Sequence, residues 1–302
     1  MRLPLARRPG RYPSPCSSSS ANPLTGFSPC ATPNWSGQLT TLNGEESSTV
    51  FNLSPVPVPD LSGKIVLVTG AGRGIGAELL RVLVEHGAKV FAGIHQLGRR
   101  GSETLPPETE LVDLDVTSQR ETDAAIRTIA DKAGRLDVLI NNAGVIDPIG
   151  RLATLSSDDL LPSFAVNVAG VHRMTVAAAP LLRESKGVII NAGTGAATTP
   201  MEGWTAYCTS KAAALMLTRM FDLELSGGGI KSFFLGVPPT DTAMQAAIRQ
   251  SGLNPVSRIA QADLVPVRVP ATVMAWLCGP DARLLEEVVL DVRDERFRQM
   301  MR

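Results

Sequence analysis

The sequence Thr69-Gly70-Ala71-Gly72-Arg73-Gly74-Ile75-Gly76 overlaps the end of an apolar run, Lys64–Thr69 (KIVLVT). That run has the composition of a buried strand, and the residues from Gly76 to His86 have the apolar spacing of a helix. Glycines between a strand and a helix allow a tight turn whose backbone N–H groups can approach a pyrophosphate. This context predicts a dinucleotide-binding turn, with an ordinary glycine loop as the alternative. The residues predicted to bind are Gly70, Arg73, Gly74, Ile75 and Gly76.

Short apolar strands alternate with amphipathic helices after this turn. The predicted strands are Lys89–Ile94, Glu110–Leu114, Leu136–Ile140, Gly187–Asn191 and Ile230–Leu235, and the predicted helices are 121–133, 156–183 and 204–226. This alternation predicts a parallel sheet that is covered by helices on both faces. We therefore expect a single α/β domain with a doubly wound parallel sheet (Rossmann-like), and ligands at the carboxyl ends of its strands.

The first 58 residues have a different composition, rich in Pro and Ser and without a periodic apolar pattern. Such a segment buries too little apolar surface to offset its ordering entropy. We predict a disordered N-terminal extension over residues 1–58 and a folded domain over 59–302. The first 44 residues contain arginines but no Asp or Glu, as organelle transit peptides do. Their prolines suit a transit helix poorly, so we favour an untargeted tail, or sequence upstream of the true start codon, and a cytoplasmic location.

The overall charge and the cysteines exclude several classes of function. Acidic and basic residues balance at 29 each, which predicts neither a nucleic-acid nor a membrane partner. Cys16, Cys30, Cys208 and Cys278 form no CxxC pair, and no His or Cys cluster has metal-ligand spacing, so no metal is expected. The expected partner is a small molecule.

Several motifs together resemble one enzyme family. The glycine spacing TGxxxGxG differs from GxGxxG, and it is followed by Asp115-Val116, Asn141-Asn142-Ala143-Gly144 and a Tyr-x-x-x-Lys at 207–211. In this order the motifs resemble the short-chain dehydrogenase/reductase family over residues 61–278. The resemblance implies that Asp115 and Val116 hold an adenine ring, and that Asn142, Ala143 and Gly144 support the sheet edge beside the cofactor. A β-turn is the alternative for the Asn-Asn-Ala-Gly sequence.

Tyr207 and Lys211 are four residues apart in a predicted helix, so their side chains share one face. A nearby ammonium lowers the pKa of a phenol from its usual value of ~10, which would let Tyr207 give a proton to a carbonyl oxygen. The resemblance implies that Lys211 also holds the nicotinamide ribose. It implies that Thr194 replaces the serine that holds the substrate oxygen, and that Asn167 keeps a proton relay. A helix cap or kink is the alternative for Asn167.

The end of the second predicted strand bears on the choice of cofactor. An NAD site commonly has a carboxylate there, whereas this strand ends in Ile94-His95-Gln96. Arg73 and His95 favour a 2′-phosphate, so NADP(H) is expected rather than NAD(H). Arg99 and Arg100 either add to that pocket or are ordinary surface charges. Thr242 matches the family's threonine that contacts the nicotinamide carboxamide.

These observations predict an oxidoreductase that transfers a hydride between NADP(H) and a carbonyl or alcohol substrate. The sequence around Trp204 and Tyr207 resembles carbonyl reductases similar to sepiapterin reductase and benzil reductase, which implies a ketone or vicinal diketone. The resemblance also implies a homodimer. Thr194, Phe233 and the loop Val237–Pro239 depart from the family pattern. They favour the alternative, a catalytically weak or inactive NADP(H)-binding sensor or subunit partner.

Overall fold

The computed structural model describes residues 51–97 and 105–301. The strands are β1 (Ile65–Thr69), β2 (Lys89–Ile94), β3 (Glu110–Asp113), β4 (Val138–Asn141), β5 (Val188–Gly193), β6 (Lys231–Gly236) and β7 (Val289–Asp291). The helices are α1 (Gly74–Glu85), α2 (Gln119–Ala133), α3 (Ser157–Phe164), α4 (Val171–Ser185), α5 (Thr205–Leu225), α6 (Ala243–Ser251), α7 (Arg268–Trp276) and α8 (Glu295–Arg298). A π-helical turn, Ala165–Gly170, joins α3 to α4, so the helix predicted at 156–183 contains a local change of winding.

The seven strands form one parallel sheet in the order β3-β2-β1-β4-β5-β6-β7. The order reverses between β1 and β4, because the chain passes outward to β3 before it returns to the centre. In open α/β sheets this reversal creates a crevice at the carboxyl ends of the strands. The predicted fold class is confirmed, and the crevice lies beside the glycine turn that follows β1.

Helices cover both faces of the sheet. Val66 and Val68 of β1 pack in a cluster with α1 and α7, whereas Leu67 between them packs with α2 and α4 on the opposite face. This alternation follows from the two-residue period of a strand. Since both faces are covered, the strands are apolar along nearly their whole length, as the sequence indicated.

The residues just before the predicted domain boundary also pack against the domain. Val56 is 4% exposed, and its N–H donates to the Thr272 hydroxyl on α7 at 3.1 Å. Phe51, Leu53 and Val58 contact the same apolar cluster. The sequence analysis assigned residues 51–58 to the extension from their proline content. In the structure they pack on the apolar cluster beside α7, a contact that depends on residues distant in the sequence. The rest of the predicted extension, residues 1–50, lies outside the described residues.

Within residues 51–97 and 105–301, no helix has the length and apolar composition needed to cross a membrane.

Candidate functional site

The glycine turn lies at the carboxyl end of β1, next to β4. Gly70 has φ +63° and Gly74 has φ +56°, a backbone region that favours glycine. A Cβ on Gly76 would lie 2.5 Å from the Gly70 carbonyl oxygen and 2.7 Å from Asn142 Nδ2. A Cβ on Gly70 would lie 2.7 Å from the Ala143 Cα. The turn therefore requires glycine both for its conformation and for its close approach to the segment after β4.

Side chains after β1 and β4 hold the turn in place. Asn142 Nδ2 donates to the carbonyl oxygens of Thr69 and Gly70 at 3.0 and 3.1 Å. The Thr69 hydroxyl accepts from the N–H groups of Asn142 and Ala143 at 3.1 and 3.0 Å. Ile75, at the start of α1, is half-buried against the apolar core. Asn142 and Ala143 therefore contact the glycine turn directly and hold it against the end of β4.

His95, predicted for the 2′-phosphate pocket, lies near Asp115, predicted for the adenine site, just beyond the ends of β2 and β3. His95 Nδ1 lies 3.7 Å from Asp115 Oδ2. Partial burial alone would raise the pKa of Asp115, but hydrogen bonds from Thr117 and the charges of His95 and Arg173 lower it below its usual value. Arg73 is exposed at the N-terminal end of α1. Arg99 and Arg100 lie outside the described residues.

Tyr207 and Lys211 lie on one face of α5, as their spacing predicts. The Thr194 hydroxyl, directly after β5, lies within hydrogen-bonding reach of the Tyr207 hydroxyl. Lys211 Nζ lies 5.9 Å from the centre of the Tyr207 ring and donates to the Ala192 carbonyl oxygen at 2.9 Å. The structure therefore brings two hydroxyls and an amine together at the carboxyl edge of the sheet.

Burial dominates the electrostatics of this group. It raises the pKa of Tyr207 to about 12, against the lowering effect of the Thr194 hydrogen bond. It lowers the pKa of Lys211 to about 8, because an ammonium loses hydration in the interior. In the protein without ligand Tyr207 is therefore a neutral phenol at neutral pH, which is the form that can donate a proton.

Asn167 lies in the π-helical turn and faces the segment after β4. Its Oδ1 accepts from the Val145 N–H at 2.9 Å, and its Nδ2 donates to the Val145 carbonyl at 2.8 Å and to the Ser210 hydroxyl at 3.0 Å. A Cβ on Gly144 would lie 3.4 Å from Asn167 Oδ1 and 3.5 Å from Lys211 Nζ. Asn167 therefore lies close to Lys211 and connects α5, through Ser210, to the segment after β4, through Val145. Sequence reasoning missed Ser210, since a serine inside a helix carries no distinctive pattern.

The loop after β6 departs from the family pattern but still reaches the glycine turn. The Val237 N–H donates to the Gly193 carbonyl at 3.1 Å, and Thr240 pairs with Val265 in an isolated parallel bridge. A Cβ on Gly74 would lie 3.4 Å from Thr242 Cγ2. Thr242 is therefore beside the predicted phosphate-binding turn. Phe233 is buried in the core, in the middle of β6.

An apolar cluster covers Tyr207. Trp204 packs edge-to-face on the Tyr207 ring at 5.6 Å between centroids, and Ile146, Ile248 and Val256 belong to the same cluster. Trp204 is 5% exposed, and its indole Nε1 has no hydrogen-bond partner among the described residues. A buried donor without a partner is uncommon and sets Trp204 apart from the other side chains of this cluster. Nothing in the sequence predicts this unpaired donor.

No group of three or more His, Cys, Asp or Glu side chains that could hold a metal ion occurs within residues 51–97 and 105–301.

Comparison with known proteins identifies the family. A sequence model of the family described as short chain dehydrogenase matches residues 64–252. The chain belongs to the short-chain dehydrogenase family. The family resemblance predicted from the motifs is confirmed, and with it the class of enzyme: oxidoreductases that bind a nicotinamide cofactor and a small-molecule substrate.

Three relatives of this short-chain dehydrogenase illustrate the family. It is 29% identical over 240 residues to benzil reductase ((S)-benzoin forming) of Saccharomyces cerevisiae, covering 71% of this chain and 90% of the relative. It is similar to the structure of a short chain dehydrogenase from Burkholderia cenocepacia in complex with NADP, with 30% identity and a TM-score of 0.64 over 77% of this chain and 97% of that chain. It is also similar to 3-ketoacyl-(acyl-carrier-protein) reductase from Brucella melitensis complexed with NADH, with 26% identity and a TM-score of 0.66 over 77% and 97%.

The glycine turn of this short-chain dehydrogenase fits a dinucleotide. The close contacts at Gly70 and Gly76 pack the turn tightly against the segment after β4 and leave it at the N-terminal end of α1, where backbone N–H groups favour a phosphate. The Val116 N–H donates no hydrogen bond within the described residues, which leaves a donor for an adenine ring at the far end. Both observations are consistent with an extended ligand along the carboxyl edge of the sheet.

Proposed function

We propose that this short-chain dehydrogenase reduces ketones, vicinal diketones among them, with NADPH, and that Tyr207 is the proton donor. One observation carries the proposal: the Tyr207 hydroxyl contacts the Thr194 hydroxyl, next to Lys211 and at the edge of the sheet that holds the glycine turn. Two hydroxyls that meet can bind one carbonyl oxygen together. An amine at this distance can stabilise the phenolate that remains after proton transfer.

In the proposed reaction each residue has a separate task. The reduced nicotinamide, when bound, supplies the hydride that adds to the carbonyl carbon. Thr194 donates a hydrogen bond to the substrate oxygen and orients it, and Tyr207 gives that oxygen its proton. The C=O π bond is thereby replaced by one C–H and one O–H bond. Lys211 balances the charge left on Tyr207, and Asn167 keeps the segment after β4 against α5.

The proposed preference for NADPH is supported by charge at the adenine end. Arg73 is exposed within the glycine turn, and β2 is followed by His95 rather than by a carboxylate. A guanidinium and an imidazole can both donate to a 2′-phosphate, which carries more negative charge than the hydroxyl of NADH. The relatives include complexes with either dinucleotide, so these residues of the chain itself carry the preference.

The indole of Trp204 supports a substrate with two oxygen atoms close together. Its buried Nε1–H lacks an acceptor within residues 51–97 and 105–301, while its ring contacts Tyr207. In this proposal a vicinal diketone supplies one oxygen for Thr194 and Tyr207 and a second for Trp204, whose indole must turn to bring its buried Nε1–H to the substrate. An unmade hydrogen bond of a buried donor costs about 1–3 kcal/mol, so a substrate that completes it gains affinity.

Substituting Trp204 by Phe tests both the activity and this selectivity. The wild type should oxidise NADPH with a vicinal diketone such as benzil and, with lower kcat/KM, with a matched monoketone. Trp204→Phe should lower kcat/KM for the diketone by about tenfold and change the monoketone value little, since it removes one hydrogen bond and keeps an aromatic ring. The measurement is NADPH absorbance under steady-state conditions.

Trp276→Phe is the matched control, because Trp276 packs against Phe297 on the opposite face of the sheet. It should leave both substrates unaffected. Equal losses with both substrates in Trp204→Phe would contradict the selectivity argument. Tight NADPH binding without turnover on any carbonyl tested would instead favour the binding-protein alternative.

The low pKa of Lys211 predicts a pH limit for reduction. With a pKa of about 8, the amine is charged below that pH and neutral above it, so the phenolate loses its electrostatic partner as the pH rises. Reduction should be level on the acid side and fall above about pH 8, approaching tenfold per pH unit for a single group. Tyr207, with a pKa of about 12, stays protonated over this range and does not cause the fall in rate above pH 8. Lys211→Arg should abolish this fall in rate. A wild-type rate that stays level to pH 10 would disprove the assignment of the fall to Lys211.

A homodimer is also proposed, on the basis of exposed apolar side chains on α3, α4 and α5. Leu161 is 60% exposed, Val176 57%, Met216 55% and Leu223 74%. Apolar surface gathered on neighbouring helices commonly marks a protein interface. Sedimentation equilibrium that gives the mass of one chain at micromolar concentration would exclude it.

A further inference from the structure

The turn between β3 and α2 holds three of its backbone groups in fixed hydrogen bonds. The Asp115 N–H donates to Glu121 Oε2 at 2.8 Å, the Thr117 N–H to Asp115 Oδ1 at 2.8 Å, and the Ser118 N–H to the Asp115 carbonyl at 2.9 Å. The Val116 N–H, between them, donates to no group in the described part of the chain. These hydrogen bonds fix the conformation of the turn. The Val116 N–H remains as a donor for a ligand.

Arg173 on α4 holds the same turn from the other side. Its Nη1 donates to the Val116 carbonyl oxygen at 2.6 Å, a contact between residues 57 positions apart in the sequence. Arg173 is half-buried, so this hydrogen bond is partly shielded from water. It is a hydrogen bond from a charged donor, the kind with the larger net contribution.

A second contact brings α4 close to the turn. A Cβ on Gly170, at the end of the π-helical turn, would lie 2.8 Å from Val116 Cγ2. Val116 itself is 7% exposed. The helix thus approaches Val116 at two points, the backbone at Gly170 and the guanidinium at Arg173. Both contacts fix the residue that carries the free N–H.

Charge at the turn is compatible with a neutral ring that needs both a donor and an acceptor. Asp115 Oδ1 is occupied by Thr117, whose N–H and hydroxyl both donate to it. Oδ2 faces His95 at 3.7 Å, too far for a hydrogen bond, and so retains acceptor capacity. A carboxylate oxygen and a backbone N–H side by side match the amino group and the ring nitrogen of adenine.

We propose that Arg173 is a positioning residue for the adenine end of the cofactor. By holding the Val116 carbonyl it fixes the turn so that the Val116 N–H and the Asp115 carboxylate present a donor and an acceptor together. Arg173 touches neither the substrate nor the reacting atoms. The inference rests on the proposed function, because it requires that a nicotinamide dinucleotide binds along this edge.

The test separates the two halves of the dinucleotide. Isothermal titration calorimetry measures the binding of 2′,5′-ADP, which carries the adenine half, and of reduced nicotinamide mononucleotide, which carries the other half. Arg173→Met should weaken 2′,5′-ADP by about tenfold or more, the effect of losing one hydrogen bond from a charged donor. Binding of the mononucleotide should change less than twofold. In turnover, KM for NADPH should rise while kcat at saturation is unchanged.

Arg127→Met is the control, since Arg127 is an exposed arginine on the neighbouring helix α2. It should leave both ligands unaffected. Arg173→Lys keeps the charge with a shorter reach and should give an intermediate loss, and it serves as the test if Arg173→Met does not fold. Unchanged 2′,5′-ADP binding in a folded variant, or equal weakening of both halves, would overturn the inference. A wild type that binds neither half would overturn the proposed function first.

Discussion

Tyr207→Phe is expected to lower the rate of carbonyl reduction by about 10²- to 10⁴-fold, the range that a positioned general acid contributes. The substitution removes only the hydroxyl that contacts Thr194. The ring remains and keeps its edge-to-face contact with Trp204, so the apolar cluster over α5 should stay packed. NADPH binding should therefore be close to that of the wild type. Single-turnover stopped-flow measurement of NADPH oxidation separates this chemical step from binding.

Thr209→Val is the matched control for Tyr207→Phe. Thr209 is an exposed residue on the same helix, and its hydroxyl donates to the Thr205 carbonyl at 2.6 Å. This variant removes a hydroxyl from α5 without touching the cluster around Tyr207, and should retain full activity. Full turnover in Tyr207→Phe would assign the proton to another group. Loss of NADPH binding in that variant would mean that the hydroxyl holds the cofactor as well.

Gly76→Ala is expected to weaken NADPH binding by about 10- to 100-fold, corresponding to strain of about 1–3 kcal/mol in the turn. The added methyl would lie 2.5 Å from the Gly70 carbonyl oxygen, and the turn must shift to relieve this contact. Helix propensity acts in the opposite direction, since alanine is favoured over glycine in α1 by about 1 kcal/mol at most. The contact should outweigh it. Fluorescence titration of NADPH measures the affinity, and thermal unfolding measures the accompanying loss of stability.

Gly227→Ala provides the comparison for Gly76→Ala. A Cβ on Gly227 would meet no atom within 4 Å, so the same chemical change there should leave NADPH affinity unaltered. If Gly76→Ala bound NADPH with the affinity of the wild type, the turn would not be the phosphate site. A variant that binds normally but unfolds at lower temperature would assign Gly76 to packing alone.

Patterns that are local in the chain predicted the most about this protein. The glycine turn was recognisable because a strand, a glycine-rich turn and a helix follow one another within 22 residues, from Ile65 to His86. Tyr207 and Lys211 were predicted to share a face because they are four residues apart, the distance that aligns side chains on a helix. The order of strands and helices in turn predicted the parallel sheet. Each of these inferences depends on neighbours in sequence and on residue type.

Contacts between residues that are distant in the sequence could be identified only from the folded structure. Val56 donates to Thr272 across 216 positions, and Arg173 reaches Val116 across 57. The burial of the Trp204 indole without an acceptor in the described part of the chain is visible only in the structure. Local sequence thus determined the elements and the motifs that lie on them. The tertiary structure decided which side chains meet, because burial and hydrogen-bond geometry depend on how separate elements pack against one another.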